Sequence, residues 1–138
     1  MKIIYWSGTG NTEKMAEFIK KGIETAGKEA EMISVSEANV EEVLKEDTLI
    51  LGCSAMGDEV LEEGEFEPFI EEISGKVSGK KVALFGSYGW GDGQWMRDWQ
   101  EKMENYGCII NEDPLIIQNE PDDREEECIE FGKKIANL

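Results

Sequence analysis

Ser7-Gly8-Thr9-Gly10-Asn11-Thr12 stands between two segments of different periodicity. Before it runs Ile3-Ile4-Tyr5-Trp6, short and apolar, which reads as a strand. After it Met15, Phe18, Ile19, Gly22 and Ile23 recur at spacings of three and four, the stripe of an amphipathic helix. A small-residue turn between strand and helix presents backbone N–H groups and hydroxyls at the positive end of that helix, an arrangement that accepts a phosphate, although an ordinary tight turn with a Thr cap reads the same way. Gly8 and Gly10 permit close backbone approach. Ser7, Thr9 and Thr12 add hydroxyl donors and Asn11 an amide. The turn lacks the Gly-Lys-Ser/Thr ending of a Walker loop, and Glu13 stands where a dinucleotide fingerprint needs its third glycine. With no arginine in or beside it, the turn suits a monophosphate ester held mostly by neutral donors.

The alternation of strand and helix continues along the chain. Lys2–Trp6 reads as the first strand, Thr12–Ala26 as a helix ending near Gly27, and Glu31–Val35 as the second strand. Asn39 with Glu42 resembles a capping box for a short helix through Leu44. Thr48–Cys53 is a strongly apolar third strand, followed by a long loop over 54–65 and a helix over 66–73. Lys81–Gly86 reads as the fourth strand. A glycine-rich loop, 87–93, and a helix over 94–106 bearing Trp95, Trp99 and Met103 follow. Cys108–Ile110 and Leu115–Ile117 form a fifth strand interrupted by Pro114, hence at the sheet edge. Asp122–Ala136 closes the chain as a helix with Cys128, Phe131 and Ile135 inward. The pattern predicts one α/β domain over 1–138. It is a doubly wound, five-stranded parallel sheet in the order 2-1-3-4-5, with helices on both faces.

The 138 residues include 14 basic and 31 acidic side chains, a net charge of −17. Duplex DNA, RNA and anionic membranes are disfavoured partners, and a basic protein surface is a favoured one. Eight acids and no base fall between Asp58 and Glu72, and seven acids with only Arg124 between Glu120 and Glu130. Such runs are solvated helix faces or the flanks of a docking site. There is no histidine, which excludes His-dependent triads and His-ligated metal. Cys53, Cys108 and Cys128 lack C-x-x-C spacing and sit among apolar residues, as buried free thiols in a reducing cytoplasm do. No metal site, signal peptide or membrane span is expected, and the acidity favours a monomer.

In the expected order, the first turn meets two other loops beyond the carboxyl ends of the strands. One begins Ser54-Ala55-Met56-Gly57-Asp58-Glu59, the other reads Ser87-Tyr88-Gly89-Trp90-Gly91-Asp92-Gly93. A flat conjugated ring fits between Trp90, stacked on one face, and the polarizable thioether of Met56 on the other. Met56 also reads as a gap filler in the core. The glycines free backbone groups for polar atoms on the ring edge, and Glu59 offers an acceptor for a ring N–H. Trp6 and Tyr5 read as strand packing. A receiver domain of the same topology would need paired acids where Ser7-Gly8 stands and an aspartate where Cys53-Ser54 stands.

Taken together, the Ser7–Thr12 turn, Met56-Gly57-Asp58-Glu59 and Ser87-Tyr88-Gly89-Trp90-Gly91-Asp92 resemble a short-chain bacterial flavodoxin, most closely the clostridial type. The resemblance implies one non-covalent FMN, no metal and no enzymatic turnover. It implies a low-potential one-electron carrier shuttling between semiquinone and hydroquinone for redox proteins with basic docking surfaces. An FMN-dependent quinone or NAD(P)H reductase is the alternative on this fold. The implied roles are phosphate holding by Ser7, Gly8, Thr9, Gly10, Asn11 and Thr12, and ring sandwiching by Met56 and Trp90. Backbone contacts to the ring edge fall to Gly57, Asp58, Glu59, Gly89 and Gly91, with the Glu59 carboxylate near N3. Ser54, Ser87, Asn119 and Glu120 are placed near the ribityl chain or ring edge, and Ala55 and Tyr88 count among the cofactor-binding residues. The resemblance further implies that the Gly57–Asp58 peptide flips so that the Gly57 carbonyl meets a proton at ring N5.

Overall fold

The computed structural model describes residues 1–57 and 60–138, so Asp58 and Glu59 lie outside the described residues. The strands are β1 (Lys2–Trp6), β2 (Glu31–Ser34), β3 (Thr48–Cys53), β4 (Lys81–Tyr88) and β5 (Leu115–Gln118). They form one parallel sheet in the order β2-β1-β3-β4-β5, as the sequence predicts. The helices are α1 (Asn11–Thr25), α2 (Val40–Val43), α3 (Phe66–Ile73), α4 (Gln94–Asn105) and α5 (Glu125–Ala136). Among the described residues no helix is long and apolar enough to cross a membrane.

Side chains alternate across the strands, so each strand feeds two cores. Ile4, Leu49, Leu51, Val82 and Leu84 pack with Phe66, Ile70, Trp95, Trp99 and Met103 from α3 and α4. Ile3, Ile50, Ala83 and Phe85 pack on the other face with Met15, Ile19 and Ile23 of α1 and Cys128, Phe131 and Ile135 of α5. Two glycines set how closely α1 and α5 approach. A Cβ on Gly22 would stand 2.0 Å from the Ile129 carbonyl oxygen, and one on Gly132 would stand 2.2 Å from that of Ile19.

The boundaries differ from expectation where tertiary pairing decides them. β4 runs two residues beyond Gly86, because Ser87 and Tyr88 pair with Ile117 and Gln118 of β5. Of Cys108–Ile110, only Ile109 makes a bridge, to Lys81, and β5 proper begins after Pro114. Val35 opens a 3-10 turn over Val35–Glu37 rather than ending β2, and Asp122–Arg124 form a 3-10 turn rather than the start of α5. Half of the anticipated capping box forms. Asn39 Oδ1 accepts the Glu42 N–H at 3.1 Å, whereas the Glu42 carboxylate pairs with Lys45 at 3.0 Å.

The start of α3 is capped from upstream. The Glu62 carboxylate accepts the N–H groups of Gly64 (2.7 Å), Glu65 (2.7 Å) and Phe66 (2.9 Å). Partial burial alone would raise its pKa, but these three donors outweigh it and hold the carboxyl below the usual glutamate range. A folded-state pKa below the unfolded one means the ionised cap stabilises above the unfolded value, and its contribution is lost as pH falls through the folded value. Glu62→Gln is therefore expected to cost about 1 kcal/mol at neutral pH. The difference from the parent should shrink as pH falls below about 4.3 and toward the depressed value, checked by denaturant unfolding at several pH values.

Cys53, Cys108 and Cys128 are free and buried, as expected. Burial pushes the Cys53 and Cys128 thiols up to about 12 and that of Cys108 to about 11. The thiolate is the reactive form. An aromatic disulfide reagent at mildly alkaline pH should accordingly label none of the three in the native protein and all three in denaturant. Rapid native labelling at any one of them would contradict the burial argument.

Candidate functional site

Beyond the carboxyl ends of the strands, where the order reverses between β1 and β3, lies a cleft of about 280 Å³. Its walls are Gly8, Thr9 and Asn11 of the first turn, Ser54, Ala55 and Met56 after β3, Ser87, Tyr88 and Gly89 at the end of β4, Asn119 after β5, and Trp6. The structure thus brings together the three loops marked in the sequence. Ser7, Gly10, Thr12, Gly57, Trp90, Gly91 and Glu120 adjoin these segments in the chain without being wall residues. Asp58 and Glu59 lie outside the described residues.

The first turn is built around Ser7. Its Oγ accepts the N–H groups of Gly10 and Glu13, each at 3.2 Å, so the Gly10 amide is donated within the turn. Gly10 takes a left-handed φ of 97° at the start of α1, which explains glycine there. Among the described residues the N–H groups of Thr9, Asn11 and Thr12 meet no acceptor. They stand at the positive end of a 15-residue helix, three unpartnered donors suited to an anion. Gly8 has a second reason to be glycine, since a Cβ there would stand 2.9 Å from the Trp6 indole. Trp6 is the cleft residue that sequence reasoning assigned to packing. Its place at the last position of β1, directly before the turn, was the available signal.

Under this turn three hydroxyls from three elements meet. Thr12 Oγ1 lies 2.6 Å from Ser54 Oγ and 3.0 Å from Ser87 Oγ, and it accepts the Ser87 N–H at 3.2 Å. All three residues are buried. Each hydroxyl has one rotatable hydrogen. Turning one toward an anion in the cleft exchanges it for a bond within the group, so the cluster can re-aim its hydrogens without moving heavy atoms.

The nearest lysine in the chain, Lys14, is held by Asp122 at 2.5 Å, tying α1 to the turn after β5. Hydrogen bonding to Asp122 and its charge push the ammonium pKa up. With that cation paired, neutral donors dominate the turn.

Two large apolar side chains of these loops are exposed to solvent, Met56 in the cleft wall and Trp90 next to the wall residue Gly89. Trp90 is 63% exposed and Met56 37% exposed. Met56 is held by two backbone bonds exchanged with Val60, at 2.9 and 3.0 Å, which is not the setting of a core gap filler. The loops are cross-tied. Ala55 N–H donates to the Ser87 carbonyl at 3.0 Å, Asn119 N–H to Tyr88 at 2.8 Å, and the Gln118 amide to Gly89 at 3.3 Å. Asn119 adopts φ 61° and Gly57 φ 47°, both left-handed. Around Gly57 an added Cβ would meet nothing within 4 Å, so glycine is required there by backbone conformation rather than by space.

The donor set fits a flavin mononucleotide: free N–H groups and hydroxyls for a phosphate, and exposed aromatic and thioether surface for a conjugated ring.

A family model described as flavodoxin matches residues 3–132. The chain is 73% identical to a flavodoxin of Clostridium beijerinckii over 138 residues, the full length of both. It is 43% identical over 136 residues to a flavodoxin of Megasphaera elsdenii, covering 99% of this chain and 98% of that one. The solution structure of two-electron reduced Megasphaera elsdenii flavodoxin superposes with a TM-score of 0.90 at 44% identity, covering 99% and 98% of the two chains. With sequence, family model and fold in agreement, the chain belongs to the flavodoxin family, FMN-binding electron-transfer proteins rather than enzymes.

Proposed function

We propose that this chain is a single FMN-binding domain that carries electrons one at a time, at low potential, between redox proteins. The observation that carries this reading is an anion-type turn and Met56 lining one cleft, with exposed Trp90 next in the chain to the wall residue Gly89. In this reading Thr9, Asn11 and Thr12 give their backbone N–H groups to the phosphate. Ser54, Ser87 and Thr12 turn hydroxyl hydrogens toward it, and Ser7 braces the turn. Gly8 and Gly10 provide its close approach. Trp90 and Met56 cover the two ring faces and exclude water from them. Ala55, Tyr88, Gly89, Gly91 and Asn119, with Asp58, Glu59 and Glu120, border the ribityl chain and ring edge. The Gly57 carbonyl holds a proton at ring N5.

Bound FMN supplies one-electron redox chemistry. The protein's own part is electrostatic. A net charge of −17 opposes adding negative charge to a ring in partly desolvated surroundings, which favours a low potential. The same charge favours partners with basic docking faces, met faster at low salt, and a monomeric carrier, while the three free buried thiols fit a reducing cytoplasm.

The test is anaerobic stepwise reduction of the purified protein, followed by visible absorbance. A flavin spectrum that takes up two electrons in two resolved steps supports the carrier. A single two-electron step, or steady turnover of nicotinamide and quinone without an added reductase, would move the chain to the reductases. No flavin uptake on adding FMN would overturn the site itself.

A further inference from the structure

We propose that Arg97 is a positioning residue that holds the Trp90 loop in its ring-facing conformation. The inference rests on the reading of Trp90 as a ring partner. Trp90 itself is anchored weakly, being 63% exposed. Its loop runs through Gly91 and Gly93, both at left-handed φ, 87° and 93°, in a segment that a free chain would sample widely. Something must narrow that freedom for the indole to be in place before the flavin arrives.

Arg97, in the first turn of α4, does this with one planar group. Its Nη1 donates to the Asp92 carbonyl at 3.0 Å, and its Nη2 donates to Asp92 Oδ1 at 2.9 Å and to Gln94 Oε1 at 2.8 Å. The Gln94 amide is oriented from its other end, because Nε2 donates to Asp98 Oδ1 at 2.8 Å, leaving Oε1 for the guanidinium. A chain of four side chains thus closes from α4 back onto the loop two residues after Trp90. The ion pair within it is exposed, 53% for Arg97 and 79% for Asp92, and as a simple charge pair would contribute little. Two of the three guanidinium bonds go to neutral oxygens, however, and a backbone carbonyl is one of them. The restraint is therefore directional and only partly screened by salt. A lysine ammonium, a single point with no fixed fork, cannot reproduce it. Ordering the loop in advance removes an entropy cost from flavin binding.

The experiment compares the parent with Arg97→Lys, Arg97→Gln and, as a charge-matched control on α5, Lys133→Gln. FMN dissociation, the visible circular dichroism of bound flavin and amide exchange at Gly91 and Asp92 are measured at low and high salt. Both Arg97 variants are expected to release FMN about tenfold faster. They should change the dichroism band and speed exchange at Gly91 and Asp92 while Met103 in α4 stays protected, with most of the effect surviving high salt. Lys133→Gln should match the parent. Arg97→Lys behaving as the parent, or an effect abolished by salt, would overturn the positioning role. So would loss of protection throughout α4, which marks a merely structural one. A parent that binds no FMN would instead overturn the reading on which the inference rests.

Discussion

Gly132→Ala is expected to destabilise the protein by about 3 kcal/mol or more, lowering the midpoint of thermal unfolding by roughly 10 °C. The added methyl would lie 2.2 Å from the Ile19 carbonyl oxygen, a backbone atom inside α1 that cannot turn aside as a side chain can. Relief requires the two helices to separate along their contact, opening the core of Ile19, Ile23, Phe131 and Ile135. Gly22→Ala should behave alike, since its methyl meets the Ile129 carbonyl at 2.0 Å. Gly75 has open space around it and no left-handed φ, so Gly75→Ala should stay within about 0.5 kcal/mol of the parent. Denaturant unfolding of the three variants decides the matter. A loss under about 1 kcal/mol at both helix positions would mean that α1 and α5 slide past the clash.

Thr12→Val is expected to weaken FMN binding roughly a hundredfold while changing riboflavin binding by less than about threefold. Valine keeps the shape of threonine and removes the oxygen on which Ser54, Ser87 and the Ser87 N–H converge. The bound anion loses the Thr12 hydroxyl and the acceptor that orders the Ser54 and Ser87 groups, and a hydrogen bond to a charged group is worth about 1.5–3 kcal/mol. Riboflavin lacks the phosphate, so a loss confined to FMN assigns the hydroxyl group to the anion. Equal losses for both ligands, measured by fluorescence titration of the apoprotein, would make Thr12 a loop brace instead.

Much of this architecture was legible because its causes are local. Apolar runs such as Thr48–Cys53, buried throughout, and helix stripes such as Phe66, Phe69, Ile70 and Ile73 announce themselves by period. The turn after β1 was legible for the same reason, its glycines and hydroxyls being consecutive in the chain. What escaped depends on partners distant in sequence. Ser87 and Tyr88 look like loop until β5 is there to pair them. Trp6 looks like any strand aromatic until the turn folds over it. Glu62 reads as one more acid in an acidic run, and only the folded chain places three amides around it. Gly22 was visible as a member of the α1 stripe, yet its partner Gly132 lies far along the sequence, and no local pattern joins them.

That last contact also orders events during synthesis. Gly22 and Gly132 stand roughly 110 positions apart, so α1, once synthesised, lacks its partner until α5 emerges. The anion turn sits at the leading end of that waiting helix. The turn therefore gains the full support of its helix only once α5 has packed against α1.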